Sequence, residues 1–273
     1  FRSHRGGKTQ FIREAMSWIE LGKHPNIVTA YYIRVIDDLP RIFMEYVVGK
    51  QLSSIIEENG MLEYNVLLDY AIQFCDAMIY SHNKLCIHRD LKSENCLISN
   101  NGILKIYDFG LVKGINDDIA YFDKNKIKNK KYLNDVPSMF ISGIDNVVMG
   151  TPPYMAPEMW GNAHKAGKPA DIYAFGIILY EMICGKRPFY AQYPEEYRIQ
   201  HLNSRIPNPK DHRNDVPLDL ANIVIKCLQK EIKNRYTNFD SIKIELLNIY
   251  ENLMNNIYKR IIRITYNRRK ERK

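Results

Sequence analysis

The spacing of apolar residues predicts two amphipathic helices in the first third of the chain. Within residues 8–22, apolar side chains recur at i, i+4, i+7 and i+8, as they do along one face of an α-helix. This stripe consists of Phe11, Ala15, Trp18 and Ile19. Residues Tyr64–His82 carry a longer stripe, formed by Leu67, Tyr70, Ala71, Phe74, Ala77, Met78 and Ser81. Gly22 and the nearby Pro25 end the first helix, whereas the second is predicted to be a core helix without a chemical role.

Short apolar runs predict two hairpins. Val28–Ile36 and Arg41–Tyr46 have strand character and are separated by a four-residue turn. Two further runs, Cys96–Ile98 and Ile103–Ile106, flank Ser99–Gly102, in which the Asn-Gly step is a strong hairpin signal. The chain is therefore expected to combine helices with antiparallel strands.

The second hairpin is predicted to bring three polar side chains together. Asp90 and Asn95 lie five residues apart on the loop before it, and Asp108 follows it, eighteen residues after Asp90. A hairpin at this position folds Asp108 back beside the other two side chains. Two carboxylates and one amide offer oxygen ligands that suit Mg²⁺. Bound Mg²⁺ usually fills some of its remaining coordination positions with phosphate oxygens. The sequence therefore predicts a magnesium site at this loop.

The composition is that of a globular protein with a substantial core. Of the 273 residues, 45% are hydrophobic and 26% are charged. The five cysteines are odd in number and contain no C-x-x-C pair, so we expect reduced, mostly buried thiols and a cytoplasmic location. The best apolar run, Ile172–Tyr180, has nine residues, whereas a membrane span needs about eighteen. We therefore expect no membrane span.

The net charge of +8 arises mainly from two basic stretches. Tyr121–Asp135 is rich in lysine and asparagine, which predicts a disordered, solvated insertion, with a docking patch for an acidic partner as the alternative. The tail Tyr258–Lys273 carries eight basic residues and one acid. Such a tail could bind nucleic acid or anionic lipid, but no aromatic ladder or base-reading motif accompanies it. We therefore expect a solvated helix end there and no nucleic-acid binding.

Three motifs resemble those of the protein kinases. His88–Asn95 reads H-R-D-L-K-S-E-N, Asp108–Gly110 reads D-F-G, and Ala156–Glu158 reads A-P-E. They occur in the order of that family, with its usual eighteen-residue step between the two aspartates, which chance does not readily produce. The resemblance covers about residues 8–245. It implies an α+β, bilobal kinase-like fold with a truncated, β-rich small lobe and a mainly helical large lobe.

The resemblance also implies how the chain is divided. Residues 1–47 would be the remnant of the small lobe (one helix, two strands and the hinge), residues 48–250 the large lobe with its lysine-rich insertion near 121–135, and residues 251–273 a basic C-terminal extension. Lys92 and the segment Gly150–Tyr154 resemble those of serine/threonine kinases. We therefore expect ATP and Mg²⁺ as cofactors and a protein substrate with serine or threonine hydroxyls.

The resemblance assigns chemical roles to residues of the loop His88–Asn95, the catalytic loop of the family. Asp90 would accept or orient the hydroxyl proton of the substrate, and Lys92 would steady the phosphoryl group during its transfer. Asn95 and Asp108 would hold Mg²⁺ across the phosphates. Asp90 and Lys92 are therefore the candidate catalytic residues, and Asn95 and Asp108 are the candidate metal ligands.

The resemblance also places the nucleotide. Residues 42–47 correspond to the hinge, so Met44 would border the adenine pocket, and the backbones of Glu45 and Val47 would hydrogen-bond the purine. Leu97 would lie beneath the adenine ring. The alternative for Met44 is an ordinary position in the core of a strand, and the two interpretations are compatible.

Departures from the kinase pattern leave a second interpretation open. The Gly-rich loop and the strand lysine of the family are absent. Gly6–Lys8 follows no strand and is expected to be a solvated end. Glu14 matches the helix glutamate and, without the strand lysine, is expected to be solvated or paired elsewhere. Tyr107 stands where the family usually has a small residue, and it could crowd the pocket. These features predict a truncated domain with weak or no activity and poor solubility by itself, and they keep a pseudokinase scaffold as the alternative.

Further positions match regulatory and structural features of the family. Arg89, next to Asp90, suggests that activity is controlled by phosphorylation of the activation segment, the stretch between Gly110 and Ala156. The candidate phosphorylation sites are Ser138, Ser142 and Thr151. Thr151 is better explained as a structural part of the substrate-binding loop. Arg235 matches the family's partner of Glu158, which predicts an ion pair between them.

Overall fold

The computed structural model describes residues 5–109, 150–160 and 167–270, with the backbone alone for residues 5–10, 13, 14 and 256–270. In chain order, the elements are α1 (Arg5–Leu21), β1 (Ala30–Ile36), β2 (Leu39–Met44), β3 (Gly49–Gln51), α2 (Leu52–Asn59), α3 (Tyr64–Asn83), β4 (Cys96–Ser99), β5 (Leu104–Ile106), α4 (Lys168–Cys184), α5 (Pro194–Asn203), α6 (Leu218–Cys227) and α7 (Phe239–Lys270). Short 3₁₀ turns at Ser93–Asn95, Pro152–Tyr154 and Pro157–Trp160 lie at the predicted motifs.

The hairpin β1–β2 packs against α1 and forms a small part of the molecule, as the sequence predicts. Asp37 and Asp38 have positive φ angles of 52° and 59°, which produce a tight turn between the antiparallel strands. The turn is therefore shorter than predicted, and β2 already begins at Leu39. β2 ends at Met44 rather than at Tyr46, whose side chain is largely exposed.

The first residue predicted for β1 is hydrogen-bonded to a different strand. Val28 donates its N–H to the carbonyl of Ile106 in β5 (2.9 Å), and β1 therefore begins at Ala30. The Trp18 indole of α1 donates to the Val28 carbonyl (2.8 Å). These two bonds connect both α1 and the hairpin to the rest of the molecule. Gly6–Lys8 are helical and lie in the first turns of α1, and the expectation that this end of the chain is solvated stays a prediction.

A three-stranded antiparallel sheet, β3–β4–β5, contains the second predicted hairpin. Along β4 and β5, buried and half-buried residues alternate, so one face of the sheet is fully buried in the core and the other face is less buried. β3 was not predicted. A side chain on Gly49 would place its Cβ 2.0 Å from the carbonyl oxygen of Ile98. The close pairing of β3 with β4 therefore requires glycine at this position.

Helix α4 is the centre of the helical part. All of its side chains from Ala170 to Cys184 are buried. The rings of Phe74 in α3, Phe175 in α4 and Phe239 in α7 have centroids 4.9–6.2 Å apart, so three helices share one aromatic core. The stripe predicted along Tyr64–His82 is confirmed as part of this core.

Helix α7 continues without a break to Lys270. The residues predicted as a basic extension, 251–273, therefore begin inside a helix whose first turns pack against α3 and α6. Across the three described ranges, none of the helices is both long and apolar enough to cross a bilayer.

Candidate active site

The loop between α3 and β4 is held by a buried carboxylate on α4. Asp171 is fully buried and accepts the backbone N–H groups of His88 (2.9 Å) and Arg89 (2.8 Å). Its Oδ2 also lies 2.8 Å from Nε2 of His82. Arg89 has a φ angle of +65°, a left-handed conformation that is uncommon for residues with a side chain. The loop that carries Asp90 is therefore fixed by a residue more than eighty positions further along the chain.

The charge of Asp171 is maintained by these contacts. Burial by itself would raise the pKa of Asp171, but the hydrogen bonds from His82 and from the His88 backbone hold it below its ordinary value. The resulting stabilisation is present above the ordinary aspartate pKa and is lost as the pH falls through the lowered, folded-state pKa. Sequence reasoning missed this role. The available signal was one acid at the start of the longest apolar run, where a buried charge requires partners.

The two predicted catalytic side chains lie together. Nζ of Lys92 is 3.2 Å from Oδ2 of Asp90, and the hydroxyl of Thr151 donates to Oδ1 of Asp90 (2.7 Å). The same hydroxyl accepts a hydrogen bond from Lys92 (3.1 Å). A carboxylate, an ammonium group and a hydroxyl therefore form a closed set of contacts. The Thr151 hydroxyl is engaged within this set, which favours the structural role over a phosphorylation site.

The two predicted metal ligands are connected through the backbone. The N–H of Tyr107 donates to the Asn95 carbonyl (3.0 Å), which holds the residue before Asp108 against the catalytic loop. The Nδ2 of Asn95 donates to the Asp90 carbonyl (3.0 Å). The oxygen of the same side-chain amide is therefore the atom that could coordinate a cation. Asp108 is exposed, with a φ angle of +62°.

This donor set fits Mg²⁺. One carboxylate and one amide oxygen are few ligands, but Mg²⁺ in proteins usually completes its shell with water and phosphate oxygens. In the described parts of the chain, no group of three or more histidine, cysteine or acidic side chains offers another metal centre.

Phe109 couples α1 to this site. Its ring is fully buried, and its centroid lies 4.5 Å from that of His88 and 6.0 Å from that of Trp18 in α1. Nε2 of His88 is in turn 3.1 Å from the Tyr107 carbonyl. The position of Asp108 is therefore determined by packing between α1 and the catalytic loop.

Two of the predicted nucleotide-binding residues, Leu97 and Glu45, are connected through Lys105 on one face of the sheet β3–β4–β5. Leu97 in β4 is half-buried and pairs with Lys105 in β5. Nζ of Lys105 contacts Oε1 of Glu45 (2.9 Å), and the Glu45 carboxylate also accepts the N–H of Thr29 (3.1 Å). The N–H of Glu45 donates to the Thr29 carbonyl (2.8 Å). The carbonyl of Glu45, rather than its N–H, is therefore the group that could contact a purine.

Met44 and Val47 lie close to Glu45 in the chain, one position before it and two positions after it. Met44 is 45% exposed, so the alternative that it is an ordinary core residue of the strand is wrong. Val47 is half-buried and packs against the main core. The ion pair of Glu45 with Lys105 was not predicted, because the two residues are 60 positions apart.

A second buried carboxylate lies beside the catalytic loop. The hydroxyl of Tyr154 donates to the carboxylate of Glu181 (2.9 Å to Oε1) and lies 3.0 Å from the hydroxyl of Ser93. Oε2 of Glu94 is 3.3 Å from the same tyrosine oxygen. Burial raises the pKa of Glu181 to about 7.

This raised pKa makes stability depend on pH. Between the ordinary glutamate pKa and about 7, the folded protein keeps a proton on Glu181 that the unfolded chain has lost, so the free energy of unfolding falls as the pH rises. Glu181→Gln keeps an acceptor for Tyr154 and is expected to reduce this decline by about 2–3 kcal/mol. Urea unfolding at pH 5 and pH 8 measures the difference. Identical declines in the two proteins would contradict a neutral, buried Glu181.

The predicted pair of Glu158 and Arg235 is formed. Nη1 and Nη2 of Arg235 each lie 2.8 Å from one carboxylate oxygen of Glu158, in a bidentate arrangement. The arginine side chain is fully buried. The pair fixes the A-P-E segment against the start of α4.

Some predictions concern parts of the chain outside the described residues. They are the lysine-rich insertion near 121–135 and the candidate phosphorylation sites Ser138 and Ser142. Glu14 lies in α1 at a position where only the backbone is described.

Comparison with known proteins covers most of the chain. The protein kinase domain family matches residues 2–247. A probable serine/threonine-protein kinase of Clostridium acetobutylicum is 32% identical over 246 residues, which cover 90% of this chain and 34% of that protein. Serine/threonine-protein kinase PrkC of Bacillus subtilis is 30% identical over 242 residues, or 89% of this chain and 34% of PrkC.

A eukaryotic protein also matches. MAP kinase kinase kinase SSK2 of Saccharomyces cerevisiae is 35% identical over 203 residues, which cover 70% of this chain and 13% of that protein. The chain spans about a third of the length of the two bacterial relatives.

Proposed function

The chain belongs to the protein kinase family, and on this premise we propose that it transfers the γ-phosphoryl group of ATP to serine and threonine hydroxyls of protein substrates. The observation that carries the proposal is the set of contacts of 2.7–3.2 Å among Asp90, Lys92 and Thr151. The names of the two bacterial relatives support serine and threonine as the acceptors.

Asp90 acts on the acceptor in the proposed reaction. The proton of the substrate hydroxyl passes to Asp90 as the bond from oxygen to the γ-phosphorus forms and the bond to ADP breaks. Thr151 keeps the carboxylate in one orientation by donating to Oδ1. Lys92, 3.2 Å from Oδ2, supplies positive charge beside the phosphoryl group.

The remaining predicted residues would bind the nucleotide. Asn95 and Asp108 would hold Mg²⁺, which neutralises charge on the phosphates when bound. Leu97 would form the floor beneath the adenine, and Met44 would border the pocket. The carbonyl of Glu45, together with the backbone of Val47, would hydrogen-bond the purine.

Replacing Asp108 with asparagine tests the metal assignment. The loss of a charged ligand is expected to raise the Mg²⁺ concentration that gives half-maximal phosphoryl transfer by at least about 10-fold, since even outer-shell changes cost 10–100-fold in metal affinity. The measurement is a Mg²⁺ titration of phosphate transfer from ATP to a mixture of serine- and threonine-containing peptides, with the full-length protein. Asp219→Asn, an exposed aspartate in the first turn of α6, is the control. An unchanged Mg²⁺ requirement in Asp108→Asn would remove Asp108 from the metal site.

A non-catalytic scaffold is the second candidate function. It is favoured by Tyr107, whose hydroxyl is bonded across the proposed nucleotide cleft to Gln51 and to the Glu94 carbonyl. Turnover by the wild-type protein that Asp108→Asn reduces would exclude a purely non-catalytic role. We also propose a cytoplasmic location, supported by five free, buried cysteines of the kind found in reducing compartments.

A further inference from the structure

The side chain of Tyr107 spans the floor of the proposed nucleotide cleft. Its hydroxyl donates to the carbonyl of Glu94 (2.8 Å) and accepts from Nε2 of Gln51 (2.8 Å). Gln51 is the last residue of β3, and Glu94 lies in the catalytic loop, so one hydroxyl joins two separate segments. An amide nitrogen donates and a carbonyl accepts, so the direction of both bonds is fixed by the chemistry of the groups.

Tyr107 lies on the less buried face of the sheet. Both neighbours of Lys105 in β5 are buried, whereas Lys105 is half-buried, and the half-buried Tyr107 continues this alternation. Leu97, the proposed adenine floor, is half-buried in β4 and pairs with both Gln51 and Lys105. Tyr107 and Leu97 therefore belong to the same surface of the cleft.

The two partners of the Tyr107 hydroxyl lie between the two ends of the proposed nucleotide site. Gln51 follows the hinge residues 44–47 by a few positions, and Glu94 directly precedes Asn95. The hinge would hold the base, and Asn95 with Asp108 would hold the metal-bound phosphates. In a nucleoside triphosphate the sugar connects these two parts. The sugar must therefore pass through the region that contains the Tyr107 hydroxyl.

A sugar hydroxyl donates one hydrogen bond and accepts others, as the tyrosine hydroxyl does here. We propose that the Tyr107 hydroxyl occupies the place of a sugar hydroxyl, and that Tyr107 thereby sets both the affinity for nucleotide and the selectivity for the sugar. The inference rests on the proposed function, which supplies the position of the nucleotide. In the wild-type protein the nucleotide then binds without sugar contacts to Gln51 or Glu94, which stay bonded to Tyr107.

The test compares ATP with 2′,3′-dideoxy-ATP, each with Mg²⁺, by titration calorimetry on the full-length protein. The wild-type protein is expected to bind the two within about 2-fold of each other, because its sugar-binding partners are already engaged. Tyr107→Ala is expected to bind ATP about 10-fold more tightly and to prefer ATP over the dideoxy analogue by about 10-fold, since Gln51 and Glu94 become available to the sugar hydroxyls. Tyr107→Phe keeps the ring and should change in the same direction by a smaller factor.

Tyr80→Phe is the matched control. Its hydroxyl also donates to a backbone carbonyl, that of Leu21, but it lies on α3 outside the cleft. It should bind both nucleotides as the wild-type protein does. Tyr107→Phe, which retains the packing of the ring, carries the test if the alanine variant does not fold.

The outcomes separate this inference from the proposed function. Unchanged affinities in both Tyr107 variants, or a gain in affinity that is equal for the two nucleotides, would overturn the inference and leave the nucleotide site in place. Failure of every folded variant to bind either nucleotide would overturn the proposed function, and this inference with it.

Discussion

Replacing Asp90 with asparagine is expected to slow phosphoryl transfer by about 10²- to 10⁴-fold in the full-length protein, with nucleotide affinity almost unchanged. Asparagine keeps the size of the side chain and an oxygen that can accept the hydroxyl of Thr151, now 2.7 Å from Oδ1. The substitution removes the group that takes the substrate proton. At 1.36 kcal/mol for each factor of ten, the loss corresponds to about 3–5 kcal/mol of transition-state stabilisation.

The effect of this substitution should appear in kcat rather than in KM for ATP. Initial rates of phosphate transfer to serine- and threonine-containing peptides, measured across ATP concentrations, separate the two quantities. Asp69→Asn is the control, because Asp69 is exposed on α3, where it accepts a hydrogen bond from Gln73. A folded Asp90→Asn protein with the wild-type rate would show that Asp90 does not act in the reaction.

Replacing Arg235 with alanine is expected to lower the free energy of unfolding by about 3–5 kcal/mol. The guanidinium makes two bonds of 2.8 Å to Glu158 and donates to the carbonyl oxygens of Pro169, Gln229 and Lys230. Alanine leaves a largely buried carboxylate and three carbonyl oxygens without their donor. The cost of stranding these groups, rather than the attraction of the pair, accounts for the size of the effect.

Urea unfolding of matched arginine variants measures this contribution. Arg198→Ala removes an arginine whose side chain is 43% exposed and pairs with Glu195 one helical turn away in α5, and it should unfold as the wild-type protein does. Arg235→Lys should be intermediate, because an ammonium group keeps the charge but cannot satisfy both carboxylate oxygens and three carbonyls. A loss in Arg235→Ala no larger than that in Arg198→Ala would contradict the buried, multiply bonded pair.

Elements with a clear pattern of apolar residues could be predicted from the sequence. The stripe from Leu67 to Ser81 predicts α3 to within one residue at its C-terminal end, because a core helix must place apolar residues every three to four positions. The Asn-Gly step predicts the β4–β5 hairpin, because only a tight turn fits between two such short apolar runs. The proximity of Asp90, Asn95 and the residue before Asp108 then follows from local chain geometry.

Elements without a pattern of apolar residues could not be predicted in this way. β3 consists of Gly49, Lys50 and Gln51, which have no apolar alternation, and it forms because the missing side chain of Gly49 allows the backbone to approach Ile98. Val28 looks like the start of β1 by composition, yet its N–H donates to the carbonyl of Ile106 in β5. In both cases, whether a residue joins a strand depends on a partner strand distant in sequence. Local strand propensity carries no information about that partner.

The sequence by itself determined the family of this protein and the candidate chemistry, because the three motifs and their spacing are local properties of the chain. Only the tertiary structure decided what holds these motifs in place. Asp171 reaches back to the backbone of His88 and Arg89, and Tyr107 joins the catalytic loop to β3 through Gln51. The physical reason is that a buried polar group must find its hydrogen-bond partners wherever the fold brings them, and those partners can be any distance away along the chain.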